Sequence, residues 1–276
     1  MRKIGFIAVL VVCVALIFTQ LRPKPAVSPK PSEKSDSNLS RAVDSAMNGA
    51  QSTYGIVIKN FKTKEAYFSN EKREFVPGSL YKLWVAKEAY KRVANGELKM
   101  DDEITENIAD LNNYYGISDE EAEFTEGVYS MTVGEAINQM ITISHNNSAL
   151  ALAKKLGMKN TLAVVTPLQV ANFFEDLYAG KMVNATFSGQ LLTILKKQEN
   201  KDMISKLLPD GVVVAHKTGN VATFMHDAGI VYSPKGDYIL VVLSDGDFPP
   251  GAKDRIAKVY KAVFDFFMAE PSTGGK

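Results

Sequence analysis

Hydrophobic positions change period twice along this chain, from strand-like to helical and back again. Leu39, Ala42, Val43, Ala46 and Met47 recur at helical spacing and predict an opening helix. Tyr54-Gly55-Ile56-Val57-Ile58 and Glu65-Ala66-Tyr67-Phe68 follow as two short runs around a polar turn and predict two strands. A long middle section keeps the helical period over 79–94, 132–143, 147–156, 167–178 and 185–197. Gly96, Gly157 and Gly180 stand where those helices should stop, and Thr166-Pro167 offers a hydroxyl cap with proline in the first turn. Strands return over 211–216, 225–232 and 238–243, with Ser233-Pro234-Lys235-Gly236-Asp237 as the last turn, and an amphipathic helix runs over 252–268. Strands thus come from both ends of the chain. The predicted fold is α/β (α+β), a five-stranded antiparallel sheet flanked by helices, with an inserted all-helical subdomain.

Residues 1–21 carry a different pattern. Arg2 and Lys3 precede an uncharged apolar run from Ile4 to Phe18, the charge-then-apolar order of an export signal. No small-x-small cleavage site follows, so an uncleaved membrane anchor is expected in preference to a cleaved signal, and the rest is expected to work outside the cytoplasm. Residues 22–38 hold four prolines among lysine and serine and predict a solvated linker. The folded domain is expected over 39–270, with a frayed tail at 271–276.

Composition narrows the function classes. Of the 276 residues, 46% are hydrophobic and 23% charged, enough to bury a sizeable core. The net charge of +1 gives no reason to expect nucleic acid as a partner. The single cysteine, Cys13, lies in the apolar run, so no disulfide framework is available. His145, His216 and His226 lack paired ligand spacing, and neither a metal nor a cofactor is expected. A monomer is expected.

A serine three residues before a lysine occurs twice. Ser69 and Lys72 lie in a solvated charge run. Ser79-Leu80-Tyr81-Lys82 instead opens a helix whose Leu80, Leu83 and Ala86 must pack inward. There the backbone N–H groups and the helix dipole favour negative charge at Ser79. Lys82, one turn on, can reach the serine hydroxyl. A plain N-cap is the alternative role for Ser79. A second cation would lower the lysine pKa, and Lys217, ending the apolar run 211–215 before Thr218-Gly219, is the candidate. Gly219 would let a substrate backbone lie along the strand edge, although Lys217-Thr218-Gly219 also fits an ordinary strand end and turn. Ser144-His145-Asn146 joins two helices, where serine and asparagine are commonly caps.

Taken in order, the segments Ser79-Leu80-Tyr81-Lys82, Ser144-His145-Asn146 and Lys217-Thr218-Gly219 resemble those of the penicillin-recognising serine enzymes, most closely the class A beta-lactamases. Met131-Thr132-Val133-Gly134-Glu135, Met140-Ile141-Thr142-Ile143-Ser144 and Thr166-Pro167 extend the resemblance over about 39–268. It implies a beta-lactamase/transpeptidase-like fold. It also implies Ser79 as acylated nucleophile, Lys82 as proton acceptor and Ser144 as relay to the leaving nitrogen. Asn146 would bind the substrate amide, Lys217 and Thr218 would hold its carboxylate, and the backbone N–H groups of Ser79 and Asn220 would form the oxyanion hole. The implied substrates are a beta-lactam or the D-Ala-D-Ala end of a peptidoglycan stem peptide. A non-catalytic peptidoglycan-binding or beta-lactam-sensing module is a third reading.

Three departures accompany the resemblance. The class A family carries a loop glutamate that activates the deacylating water, whereas only the short stretch 157–165, free of carboxylates, precedes Thr166 here. Glu175 reads as a helix-surface residue. His145 stands where that family has aspartate, and no arginine lies between Lys217 and Asp245. Tyr114 and Tyr115, expected in a polar loop, are candidates either for the cleft or for packing.

Overall fold

The central sheet of the computed structural model, which describes residues 37–159, 162–246 and 251–269, has five strands in the order β2-β1-β7-β6-β5. Helix α1 (Asn38–Met47) leads into β1 (Thr53–Asn60) and β2 (Ala66–Ser69); β5 (Val214–Val221), β6 (Phe224–Val231) and β7 (Tyr238–Asp245) come from the other end of the domain, followed by α8 (Gly251–Met268). All neighbours pair antiparallel. The expected membrane segment, most of the linker and the tail lie outside the described residues. Ser37 already caps α1 with Ser40 in a capping box, so the folded domain begins ahead of residue 39.

β7 shows why the sheet needs cover on both sides. Its run Ile239-Leu240-Val241-Val242-Leu243 is apolar without alternation, and every one of those side chains is buried. Leu240 and Val242 pack with Leu39 and Val43 of α1 and Ile256, Val259 and Tyr260 of α8. Ile239, Val241 and Leu243 face the opposite cluster with Leu83, Phe174 and Leu177 from the inserted helices. Each such burial is worth about 1.5–3 kcal/mol.

The insert holds α2 (Lys82–Ala94), α3 (Ile108–Tyr115), α4 (Val133–Thr142), α5 (Asn146–Lys155), α6 (Pro167–Tyr178) and α7 (Ala185–Leu195). It is not all-helical: β3 (Glu103–Asn107) and β4 (Val128–Thr132) form a two-stranded antiparallel ribbon. Its alternation is short and mostly polar, which left little hydrophobic signal. Tyr114 and Tyr115 lie in α3 rather than in a loop. Helix starts follow the sequence more closely. Thr166 caps α6 in a box with Gln169 with Pro167 in the first turn, and Thr132 caps α4 in a box with Glu135. Gly96, Gly157 and Gly180 follow the ends of α2, α5 and α6 with positive φ.

Candidate active site

Ser79 is brought to the sheet by two glycines. It lies in a 3-10 turn, Gly78–Tyr81, that runs directly into α2, so the regular helix begins at Lys82 rather than at Ser79. Neither the turn nor α2 has a side-chain cap, which removes the N-cap alternative for the serine. A Cβ on Gly219 would stand 2.5 Å from Pro77 O and 2.8 Å from Leu80 Cγ. A Cβ on Gly78, whose φ is +50°, would stand 2.9 Å from Asn220 N. The turn and the Gly219–Asn220 backbone therefore touch directly. Gly219 is needed for that contact.

Lys217 does not end a strand. It lies within β5, which continues to Val221 because β6 pairs with it as far as Val221 opposite Phe224. Val213, expected inside the strand, precedes it and is half exposed. β5 is the outermost strand of the sheet, with β6 as its sheet neighbour among the described residues. Lys217 and Thr218 are buried. Lys217 Nζ donates to Ser144 Oγ at 2.9 Å and to Thr218 O at 2.8 Å.

From the other side comes Lys82, also fully buried. Its amine does not donate to Ser79. It donates to Ser144 O at 2.5 Å, to Asn146 Oδ1 at 2.8 Å and, more loosely, to Ser144 Oγ at 3.4 Å. Ser144 Oγ thus lies between two lysine amines. The backbone that places it there is left-handed, with φ +60°, a conformation uncommon outside glycine. Burial, then the nearby Lys217 ammonium, holds the Lys82 amine well below its ordinary pKa, while Glu123 opposes them. Burial lowers Lys217 to about 7, against the pull of the buried Asp227 carboxylate. Two amines with lowered proton affinity, joined through one hydroxyl, form a chain along which a proton can move.

Behind the site, the three histidines act through hydrogen bonds. His226 Nδ1 accepts from Ser244 N at 3.2 Å, and Nε2 donates to Val76 O at 2.7 Å, tying β6 to the segment that enters the Ser79 turn. Burial lowers its pKa to about 4. His216 Nδ1 lies 2.9 Å from Asp227 Oδ1, whose partner oxygen accepts Ile204 N at 3.0 Å. His145 caps α5. Among the described residues no group of three or more His, Cys, Asp or Glu side chains is placed to hold a metal.

Sequence reasoning missed Tyr129, Gln139 and Ser148, which surround His145, and Glu123, whose charge reaches Lys82 and His145. The motif phrase supplied no signal for Tyr129 because β4 was not anticipated. Tyr115 donates to Leu150 O at 3.0 Å, and Tyr114 lies under Lys154 and Lys159, so both tyrosines have packing partners. Glu175 pairs with Lys59 at 2.7 Å on the surface of α6. The segment after α5 returns to the sheet by pairing Val165 with Phe75, N–H to O at 2.9 Å in both directions, and the short stretch brings no acid with it.

A sequence model of the beta-lactamase enzyme family matches residues 38–267. No curated protein matches. Among solved structures, a beta-lactamase from Sphaerobacter thermophilus DSM 20745 is similar with a TM-score of 0.71 at 20% identity, covering 84% of this chain and 98% of that one. A beta-lactamase from Chitinophaga pinensis DSM 2588 gives 0.70 at 19%, over 84% and 98%. A mutant of PBP-A, held as its acyl-enzyme complex with penicillin G, gives 0.69 at 18%, over 83% and 95%. At these identities the structures establish a shared fold.

Proposed function

The chain belongs to the beta-lactamase enzyme family, and from that premise we propose that it is a serine acyl-enzyme in which Ser79 attacks the amide of a beta-lactam. The carrying observation is the pair of buried lysine amines joined through Ser144 Oγ beside the turn that presents Ser79. Ser79 Oγ bonds to the carbonyl carbon, and its proton passes to the Lys82 amine. The oxyanion faces the backbone N–H groups of Ser79 and Asn220, which the Gly78–Gly219 contact holds together. As the C–N bond breaks, Ser144 Oγ delivers the proton to the leaving nitrogen and recovers one from the lysines. Asn146 binds the substrate amide. The Lys217 ammonium, with one N–H left after its two bonds, and the Thr218 hydroxyl take the carboxylate.

Water must then cleave the ester and return the proton to Ser79. The short stretch before Thr166 carries no carboxylate and Glu175 is engaged elsewhere, so this half of the reaction is slow. The same observation favours a second reading, a D,D-peptidase acting on D-Ala-D-Ala stem ends. We also infer that the domain works outside the cytoplasm, tethered through residues 1–21, on the support of their charge-then-apolar order. Mass spectrometry of the protein after mixing with penicillin G tests the acylation step. The expected result is an adduct on Ser79 that S79A does not form. Rapid loss of the adduct with turnover supports a beta-lactamase, and a persistent adduct supports the penicillin-binding reading. Absence of any adduct, with S79A and parent alike, would leave only a non-catalytic module.

A further inference from the structure

Helix α5 starts from an unusual cap. His145, with φ −58° and ψ 126°, accepts the Ser148 N–H on its Nδ1 at 3.2 Å. Serine, threonine, asparagine and aspartate, the common caps, keep an acceptor oxygen throughout the neutral range. An imidazole nitrogen accepts only while its lone pair is free. A backbone N–H can only donate, so Nδ1 is the unprotonated nitrogen and the neutral ring carries its proton on Nε2. The ring is fixed in that role. It stacks on Tyr129 with centroids 5.2 Å apart and planes 12° apart. Ser148 Oγ lies 3.0 Å from Nδ1 and donates to Gln139 Oε1 at 2.7 Å, and the Tyr129 hydroxyl donates to the same Gln139 oxygen. Ser144 and Asn146, the two residues bonded by Lys82, flank this ring in sequence.

We propose that His145 is a titratable positioning residue: its neutral imidazole holds the start of α5 and so holds Ser144 and Asn146 against Lys82, and protonation releases them. The proposal rests on the reading of Ser79 as the nucleophile that this arrangement serves. Protonated Nδ1 becomes a donor, loses the Ser148 amide and finds its nearest acceptor in Ser148 Oγ. The titratable groups facing the ring are Tyr129 on β4, Lys82 on α2 and Glu123 in the loop before β4; α4 and α5 present the neutral Gln139 and Ser148. Burial, the largest influence, lowers the ring's pKa; Glu123 raises it and Lys82 lowers it. The cap is therefore present at neutral pH and lost as pH falls through the ring's lowered pKa.

The test is the pH dependence of acylation by a chromogenic beta-lactam between about pH 4.5 and 8, for the full-length protein and for H145N, whose amide oxygen caps without titrating. In the parent, the rate should fall roughly tenfold per pH unit below the His145 midpoint. In H145N that limb should vanish or move to lower pH. Superimposable profiles would overturn the proposal. NMR of the parent supplies a second readout that does not depend on the variant folding. A neutral ring protonated at Nε2, with the Ser148 amide shifting along the imidazole titration, supports the proposal. A proton on Nδ1, or an unresponsive Ser148 amide, refutes it. If neither protein is acylated at any pH, the reading of Ser79 falls, and the NMR titration alone decides whether His145 is a releasable cap.

Discussion

At residue scale, the site depends on groups whose charge is set by burial, and His226 gives the sharpest consequence. Both its nitrogens are used, one on Ser244 N and one on Val76 O, and the ring is fully buried. Its pKa is about 4 in the fold, against about 6.5 in the unfolded chain. The unfolded chain therefore binds the extra proton first. The stability that the neutral ring contributes is complete above about pH 6.5 and falls as pH drops toward 4, by roughly 3 kcal/mol at most. H226Q keeps a donor for Val76 O and does not titrate, so its urea midpoint should decline less than the parent's between about pH 7 and 4.5. Equal declines would show that His226 does not govern that limb. Lys82, Ser144 and Lys217, which the fold brings together, could be singled out in sequence because their local phrases are short. His226 to Val76, a contact across 150 residues, could not, since nothing local distinguishes a histidine that binds a carbonyl from any other in a strand.

At the scale of elements, sequence reading placed the strands of the central sheet and the well-capped helices but missed where polar residues are buried. β5 was expected to end at His216 because Lys217 and Thr218 are polar, yet both lie inside it. The Lys217 amine is met by the Thr218 carbonyl beside it and by Ser144 Oγ, a partner that only the folded insert brings. The ribbon of β3 and β4 was missed for the related reason that a mostly exposed strand carries little apolar period. The junction between β5 and the Ser79 turn makes a direct prediction. In G219A the new methyl meets Pro77 O and Leu80, and a carbonyl oxygen at 2.5 Å cannot simply rotate away. The turn must lift from the sheet, at a cost of about 1–3 kcal/mol, separating the Ser79 and Asn220 N–H groups. Acylation should fall by about 10²-fold or more, the loss expected when one oxyanion donor is removed. A G219A protein that is destabilised but acylated at the parental rate would show that the contact serves folding alone.

At the scale of the molecule, the two apolar clusters divide the work. One joins the sheet to the insert and frames the site; the other seals the opposite face of the sheet with α1 and α8. α1 contributes Leu39 and Val43, both buried against side chains of α8 and β7, and Arg255 of α8 donates to Ala46 O at 3.0 Å and Asn48 O at 2.6 Å at its end. Among the described residues, α1 supplies that seal. Removing residues 1–36 should therefore leave the midpoint of thermal unfolding close to that of the parent. Removing residues 1–48 exposes the face of α8 and the underside of β1 and β7. Two apolar side chains at about 1.5–3 kcal/mol each, together with the partners they cover, amount to several kcal/mol, a large share of the roughly 5–15 kcal/mol that holds a domain folded. The protein lacking residues 1–48 should unfold many degrees lower or fail to accumulate as folded protein, although every residue proposed for catalysis remains. Circular dichroism melts of both truncations make the comparison. Equal midpoints would mean that the second cluster holds the sheet together without α1.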